Sequence, residues 1–118
     1  MAFKFEKLEV WKIALDLSDK IDKFTIENFP KHEIYILTSQ IKRAADSVAL
    51  NIAEGSTGQS DKEFNRFLGF ALRSGIEVVS CLFIARNRGY IDQEKFKTLY
   101  DQYENLTIKI QALRRSLR

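Results

Sequence analysis

The sequence predicts an all-α fold, an antiparallel up-down-up-down four-helix bundle. Three observations carry that prediction. The 118 residues include one proline and five glycines, and no glycine precedes Gly55. An all-β sandwich or barrel needs turn residues about every 8–12 positions, so this chain has too few places to turn. Apolar residues recur at steps of three and four along four long stretches, the period of a helix with one buried face. A chain of this length makes one domain, residues 1–118, and buries roughly two-thirds of its unfolded surface without metal or disulfide staples.

The first helix is expected over about residues 6–28. Val10, Ile13, Ala14, Leu17, Ile21 and Phe24 form its stripe, and Trp11 and Leu15 widen it. Phe29-Pro30 closes it, because proline disfavours helix in the residue before it. Pro30 sits where a helix can begin, so the second is expected over 31–54, ending at Gly55. Ser56-Thr57-Gly58-Gln59 reads as a loop. Ser60-Asp61-Lys62-Glu63 is a capping box that opens a third helix over 61–88, and Gly89 stands at its C-terminal cap. Asp92 caps a fourth helix over 93–116, with Ile91 and Phe96 as a hydrophobic staple. No internal repeat or low-complexity stretch interrupts this order.

Composition narrows the function classes. No run of about 18 apolar residues is present, so no membrane helix is expected. The N-terminus mixes charged and apolar residues, unlike a signal peptide. Cys81 is the only cysteine and His32 the only histidine, which removes disulfides, multi-cysteine or histidine metal sites and a Ser-His-Asp triad. These features together predict a protein of the reducing cytoplasm with no cofactor and no enzymatic activity. The net charge is +3, and the excess lies in the second half, where 56–91 and 92–118 each carry +2. That mild bias permits an anionic partner without requiring one.

Two helices carry candidate interaction residues. On the second, Gln40, Arg43, Ser47, Asn51 and Glu54 form a polar stripe that borders the apolar face. A solvated flank explains it, and so does a polar network between helices or subunits, with Glu77 of the third helix as a partner for Arg43. Glu54 or Glu77 as acid or base lacks a nucleophile, a histidine or a metal set beside it. On the third helix, mostly apolar residues span about 240° of arc, whereas one bundle face needs little more than about 100°. The excess predicts a second buried surface against another copy of the chain, with Phe67, Phe70, Ala71, Ser74, Gly75, Val78 and Cys81 as its residues. Gly69 and Gly75, inside a helix, imply close approach of a neighbouring helix. Lys62, Arg66, Arg73, Arg86, Arg88, Arg114, Arg115 and Arg118 are the candidate nucleic-acid contacts, although cations near helix C-termini also complement the helix dipole.

Several motifs match a known family. They are Leu8-x-x-Trp11-x-x-Ala14, Phe29-Pro30-x-x-Glu33, and Leu37-x-x-Gln40-Ile41-x-Arg43-Ala44-Ala45-x-Ser47-x-x-x-Asn51-Ile52-Ala53-Glu54-Gly55. Phe64-x-x-Phe67-Leu68-x-x-Ala71-x-x-Ser74-x-x-Glu77 and Gly89-Tyr90-Ile91 continue the match. Over nearly its whole length the chain resembles the 23S rRNA intervening-sequence proteins. It departs from them at Lys42, where Arg often precedes the Arg-Ala pair, at Asp46, which stands where an apolar residue is usual, and at Ala49-Leu50, which replaces a frequent Pro-Ser. The resemblance implies a bundle that assembles into a ring, commonly a pentamer. It also implies a fold similar to the accessory variability protein of diversity-generating retroelements, which binds nucleic acid, and no enzymatic activity. Two functions are therefore expected to compete: an oligomeric scaffold that binds RNA or DNA, and a structural homo-oligomer that binds a protein partner without nucleic acid.

Overall fold

A computed structural model of the chain describes residues 2–117 and contains four α-helices and, among the described residues, no strands. They are α1 (Glu9–Asn28), α2 (Leu37–Gly55), α3 (Asp61–Asn87) and α4 (Gln93–Ser116). Short 3-10 turns, Lys4–Lys7 and Lys31–Glu33, precede α1 and α2. The molecule measures 43 × 23 × 21 Å, the proportions of a helical bundle.

The start and stop signals of the second half act as written in the sequence. The Ser60 hydroxyl accepts a hydrogen bond from the Glu63 amide at 3.0 Å. The reciprocal half of the capping box gives way to an ion pair, because the Glu63 carboxylate takes Arg66 at 3.1 Å. Asp92 accepts from the Lys95 amide at 2.8 Å. After α3, the amides of Gly89 and Tyr90 bond to the carbonyls of Arg86 and Ala85, a Schellman closure that needs a left-handed residue; Gly89 supplies it at φ 78°.

The expected start of the second helix is corrected by six residues. Pro30 is extended, Lys31–Glu33 make a single 3-10 turn, and Ile36 leaves helical geometry before α2 opens at Leu37. The physical reason is Glu33. Its side chain is drawn inward, and Oε1 accepts from the Leu37 amide at 3.4 Å, so the break in the helix places a carboxylate at the head of α2. The N-terminal helix also begins later than expected, at Glu9. The 3-10 turn before it packs Phe5 edge-on against Trp11, with ring centroids 4.7 Å apart.

All four helices contribute to one core. Leu17 and Ile21 of α1, Ile41, Val48 and Ile52 of α2, Leu68, Val78 and Leu82 of α3, and Leu106 and Ile110 of α4 are fully buried. Phe64, Leu68, Ala71, Gly75, Val78, Leu82 and Ala85 recur at steps of four and three, and make α3's inward stripe. By length and composition alone α3 would pass for a membrane-spanning helix, with one third of that window buried. The lack of an 18-residue apolar run therefore did not settle that question; in the bundle, α3 divides its apolarity between this stripe and a second, exposed one. Tyr103 lies within the core at 1% exposure, its hydroxyl unpartnered among the described residues, and burial raises its pKa.

The glycines mark where helices touch. A Cβ at Gly55 would lie 2.5 Å from Cβ of Phe67, so the end of α2 meets α3 with no room for a side chain. At Gly69 and Gly75 the neighbours are Arg114 and Thr107 of α4, each 3.4 Å from where a Cβ would stand. Close approach at these two positions thus occurs within the bundle. Gly55→Ala is expected to cost about 1–3 kcal/mol, the range for overpacking. Gly69→Ala should be neutral or gain up to about 1 kcal/mol from helix propensity, because its only neighbour is the flexible end of an arginine. Thermal denaturation followed by circular dichroism checks the pair, and a Gly55→Ala protein as stable as wild type would contradict this packing.

Candidate functional site

The polar stripe of α2 is divided by the structure. Ser47 is its centre: Asn51 Nδ2 donates to the Ser47 carbonyl and to Oγ, both at 2.9 Å, and the Ser74 hydroxyl reaches Ser47 Oγ from α3 at 3.0 Å. Gln40 Nε2 donates to Glu77 Oε2 at 2.8 Å. Gln40–Glu77 and Ser47–Ser74 therefore tie α2 to α3, and Asn51 braces Ser47 from within α2. Arg43 and Glu54 are exposed and stand outside these ties. The expected Arg43–Glu77 pair is corrected: Gln40, one turn earlier, takes that carboxylate, and Arg43 makes no ion pair among the described residues. Among those residues no group of three or more His, Cys, Asp or Glu could hold a metal ion.

A second constellation joins two motifs that the sequence shows only separately. Glu33, 4% exposed, accepts from the Tyr90 hydroxyl at 2.5 Å and from Arg88 Nη1 at 2.8 Å. The Tyr90 ring packs on Phe29 at 5.8 Å, and Phe29 packs on Phe24 at 5.9 Å. Phe29-Pro30-x-x-Glu33 and Arg88-Gly89-Tyr90 thus clamp the α1–α2 connection to the α3–α4 connection. The Tyr90 hydrogen bond holds the Glu33 carboxyl below the usual carboxylate range, against the opposing effect of burial, with Leu37 and Arg88 adding to it. The same bond raises the Tyr90 phenol. Nothing local in the sequence signals this pairing, because an acidic residue is seldom buried unless paired and the partners of Glu33 lie more than fifty positions along the chain.

The candidate cations are mostly engaged within the chain. Arg66 pairs with Glu63 and lies over the rings of Phe70 and Phe67, at 5.0 and 5.7 Å from their centroids. Arg86 bonds to Gln93 and covers Phe96 at 4.3 Å and Phe83 at 5.0 Å. Arg88 holds Glu33. Arg114 Nε donates to Asn65 at 2.7 Å while its guanidinium crosses Gly69. Lys62, Arg73 and Arg115 are exposed and make no ion pair among the described residues, and Arg118 lies outside them.

The expected oligomer surface is corrected by burial. Ala71 and Val78 are 0% exposed, Cys81 is 3% exposed, and Gly75 is buried beneath Thr107. They face the chain's own core and are closed to a second copy. Phe67 and Phe70 meet edge-to-face under Arg66, and Ser74 belongs to the Ser47 ties. Burial, then Glu77, pushes the Cys81 thiol up to about 11, so it is packing and no nucleophile. The exposed apolar stripe lies one residue further on, which is about 100° around the helix. Leu72 and Val79 are half-buried, Ile76 is 58% and Phe83 41% exposed, and Ile108 of α4 beside them is 60% exposed. Leu72, Ile76, Thr107, Ile108, Gln111 and Arg115 line a groove of 330 Å³ between α3 and α4.

Comparison with known proteins places this geometry. The profile of the 23S rRNA-intervening sequence protein family matches residues 6–112. A crystal structure at 1.70 Å of a protein of unknown function, from the S23 ribosomal protein family of Bacteroides thetaiotaomicron VPI-5482, is similar in fold. Its TM-score is 0.78 at 21% identity, over 88% of this chain and 96% of that one. No curated protein matches the chain.

The Glu33 clamp has a pH signature. Its folded pKa is depressed, so the stabilisation is present above the unfolded carboxyl value of about 4.3 and is lost as pH falls through the folded value. Glu33→Gln should lower the Tm at pH 7, and its difference from wild type should shrink below about pH 4. Melting curves across pH check this; a difference that stays constant into acid would show that the carboxylate charge is immaterial.

Proposed function

The chain belongs to the 23S rRNA-intervening sequence protein family, and from that premise we propose that it is a non-enzymatic, single-domain helical bundle that works as a self-associating scaffold. One observation carries the reading: the stripe Leu72, Ile76, Val79 and Phe83, with Ile108 beside it, repeats at helical spacing along one flank of the bundle, with Leu72 and Val79 half-buried and Ile76, Phe83 and Ile108 exposed. A stripe of that spacing is built to be covered, and left bare it invites aggregation. Up-down-up-down topology suits the contacts, since Gln40 near the start of α2 meets Glu77 of α3, and Asn65 near the start of α3 meets Arg114 near the end of α4. The assembly in this reading is a closed ring, five copies in number, in the cytoplasm, where a single buried thiol is at no risk of disulfide exchange.

RNA is the second reading, and Lys62, Arg73 and Arg115 support it, as exposed cations with no competing carboxylate. Arg66 and Arg86 lend it little, because their guanidinium groups are already committed to rings and acceptors. A ring would repeat the three free cations around its rim. A protein partner without nucleic acid is what remains if they bind nothing.

Light scattering on a sizing column at micromolar concentration tests the scaffold. The expected mass is a multiple of the 13.7 kDa chain, five-fold for the ring. Ile76→Asp should reduce it to the monomer with helical content unchanged, and a monomeric wild type overturns the reading. For RNA, titration of a single-stranded oligonucleotide across salt should show affinity falling linearly on a log–log plot, at about 0.7 in slope per phosphate neutralised. Lys62→Glu with Arg73→Glu should flatten that slope. Absence of binding at low salt rejects RNA and leaves the protein partner.

A further inference from the structure

Five of the large hydrophobic side chains that stay exposed gather at one end of the bundle. Ile34, Tyr35 and Ile36 are consecutive and 53%, 91% and 63% exposed, with Ile26 and Ile84 on either side of them. They sit on the turn between Glu33 and α2, and this turn is held firmly. Backbone bonds run from Glu33 to Pro30, from Ile34 to Lys31 and from Ile36 to Glu33, at 3.0, 3.1 and 2.9 Å. The Glu33 carboxylate is clamped by Tyr90 and Arg88. The clamp fixes the turn while leaving its three apolar side chains in water, which is a pre-organised knob.

We propose that this turn docks into the α3–α4 groove of a second copy, so that the contact between copies is head-to-tail. The inference rests on the self-association reading and specifies its geometry. A buried tyrosine removes about 150–250 Å² of surface from water. At 91% exposure, Tyr35 keeps nearly all of that for a partner, and tyrosine is a common anchor of interfaces. The groove complements it. Leu72, Ile76 and Ile108 make apolar walls, and Gln111 and Arg115 stand at its end. They offer the phenol a hydrogen-bond partner and its ring a cation.

The turn cannot reach this groove in its own chain. Its neighbours are Thr25, Phe29 and Thr38 on one side and Gln40, Ser80 and Ile84 on the other, and none of these lines the groove. The larger cleft between α1 and α4, 380 Å³, does not suit an apolar knob. Lysines and glutamates rim it, and its two apolar residues, Phe24 and Leu99, are 9% and 5% exposed. A knob and a groove on different faces of one molecule generate a heterologous contact, in which every copy uses both and the series closes as a ring or runs on as a filament.

Two variants separate this geometry from a two-fold contact. Tyr35→Ser with Ile36→Ser removes the knob, and Ile76→Asp with Ile108→Asp blocks the groove. Each alone should sediment as a monomer with the helical spectrum of wild type. Mixed one to one they should form a dimer, with twice the monomer mass, because one intact knob meets one intact groove. A mixture that stays monomeric, or a knob variant that keeps the wild-type mass, overturns the head-to-tail contact while leaving self-association standing. A wild type that is itself monomeric overturns both. Should the quadruply altered pair fold poorly, Tyr35→Cys with Gln111→Cys supplies a second measurement. Cys81 is buried, so mild oxidation should give a ladder of disulfide-linked copies, and the lack of a ladder counts against the contact.

Discussion

The structure depends on how α3 disposes of its apolar surface. Seven positions, from Phe64 to Ala85, recur at steps of four and three and enter the core. That stripe fixes the rotation of α3 about its own axis, and the rotation decides everything else on the helix. It sets Gly75 against Thr107 and Gly69 against Arg114, and it points Ser74 at Ser47. It also leaves Ile76 and Phe83 exposed, with Leu72 and Val79 half-buried beside them. The core and the candidate interface are therefore two consequences of one choice of helical phase.

Polar contacts then define the ends. At one end, Glu33 is removed from water and compensated by a phenol, a guanidinium and a backbone amide. The loss of either side-chain partner would leave a buried charge short of donors, which is the costly case for such groups. This cluster interrupts what would otherwise be a longer α2, and the interruption exposes Ile34, Tyr35 and Ile36. Along the flank, Ser18 donates to Asp46 and ties α1 to α2.

Much of the fold was legible because it is written in local chemistry. Ser60, Asp92 and Gly89 act through their own backbones or the next turn, so α3 and α4 could be placed almost to the residue. The start of α2 was not legible, because the residue that breaks the helix, Glu33, answers to Tyr90 and Arg88, more than fifty positions away. The exposed and buried faces of α3 were confused for a related reason. A helical wheel shows that an arc is too wide, but not which edge of it the other three helices will cover. Basic residues suffered the same limit: Arg66, Arg86 and Arg114 look like free charges in a sequence, and only packing shows aromatic rings beneath two of them and a glycine beneath the third.

The contact between Phe5 and Trp11 has a consequence for how this molecule can be watched. Trp11 is the chain's only tryptophan, and it lies half-buried at the corner where the N-terminal 3-10 turn meets α1. Its fluorescence is an optical reporter of that corner, at the edge of the core. Emission and far-ultraviolet dichroism therefore sample different depths of one molecule. Where the two signals separate on heating, the gap measures local opening of the first turn ahead of global unfolding.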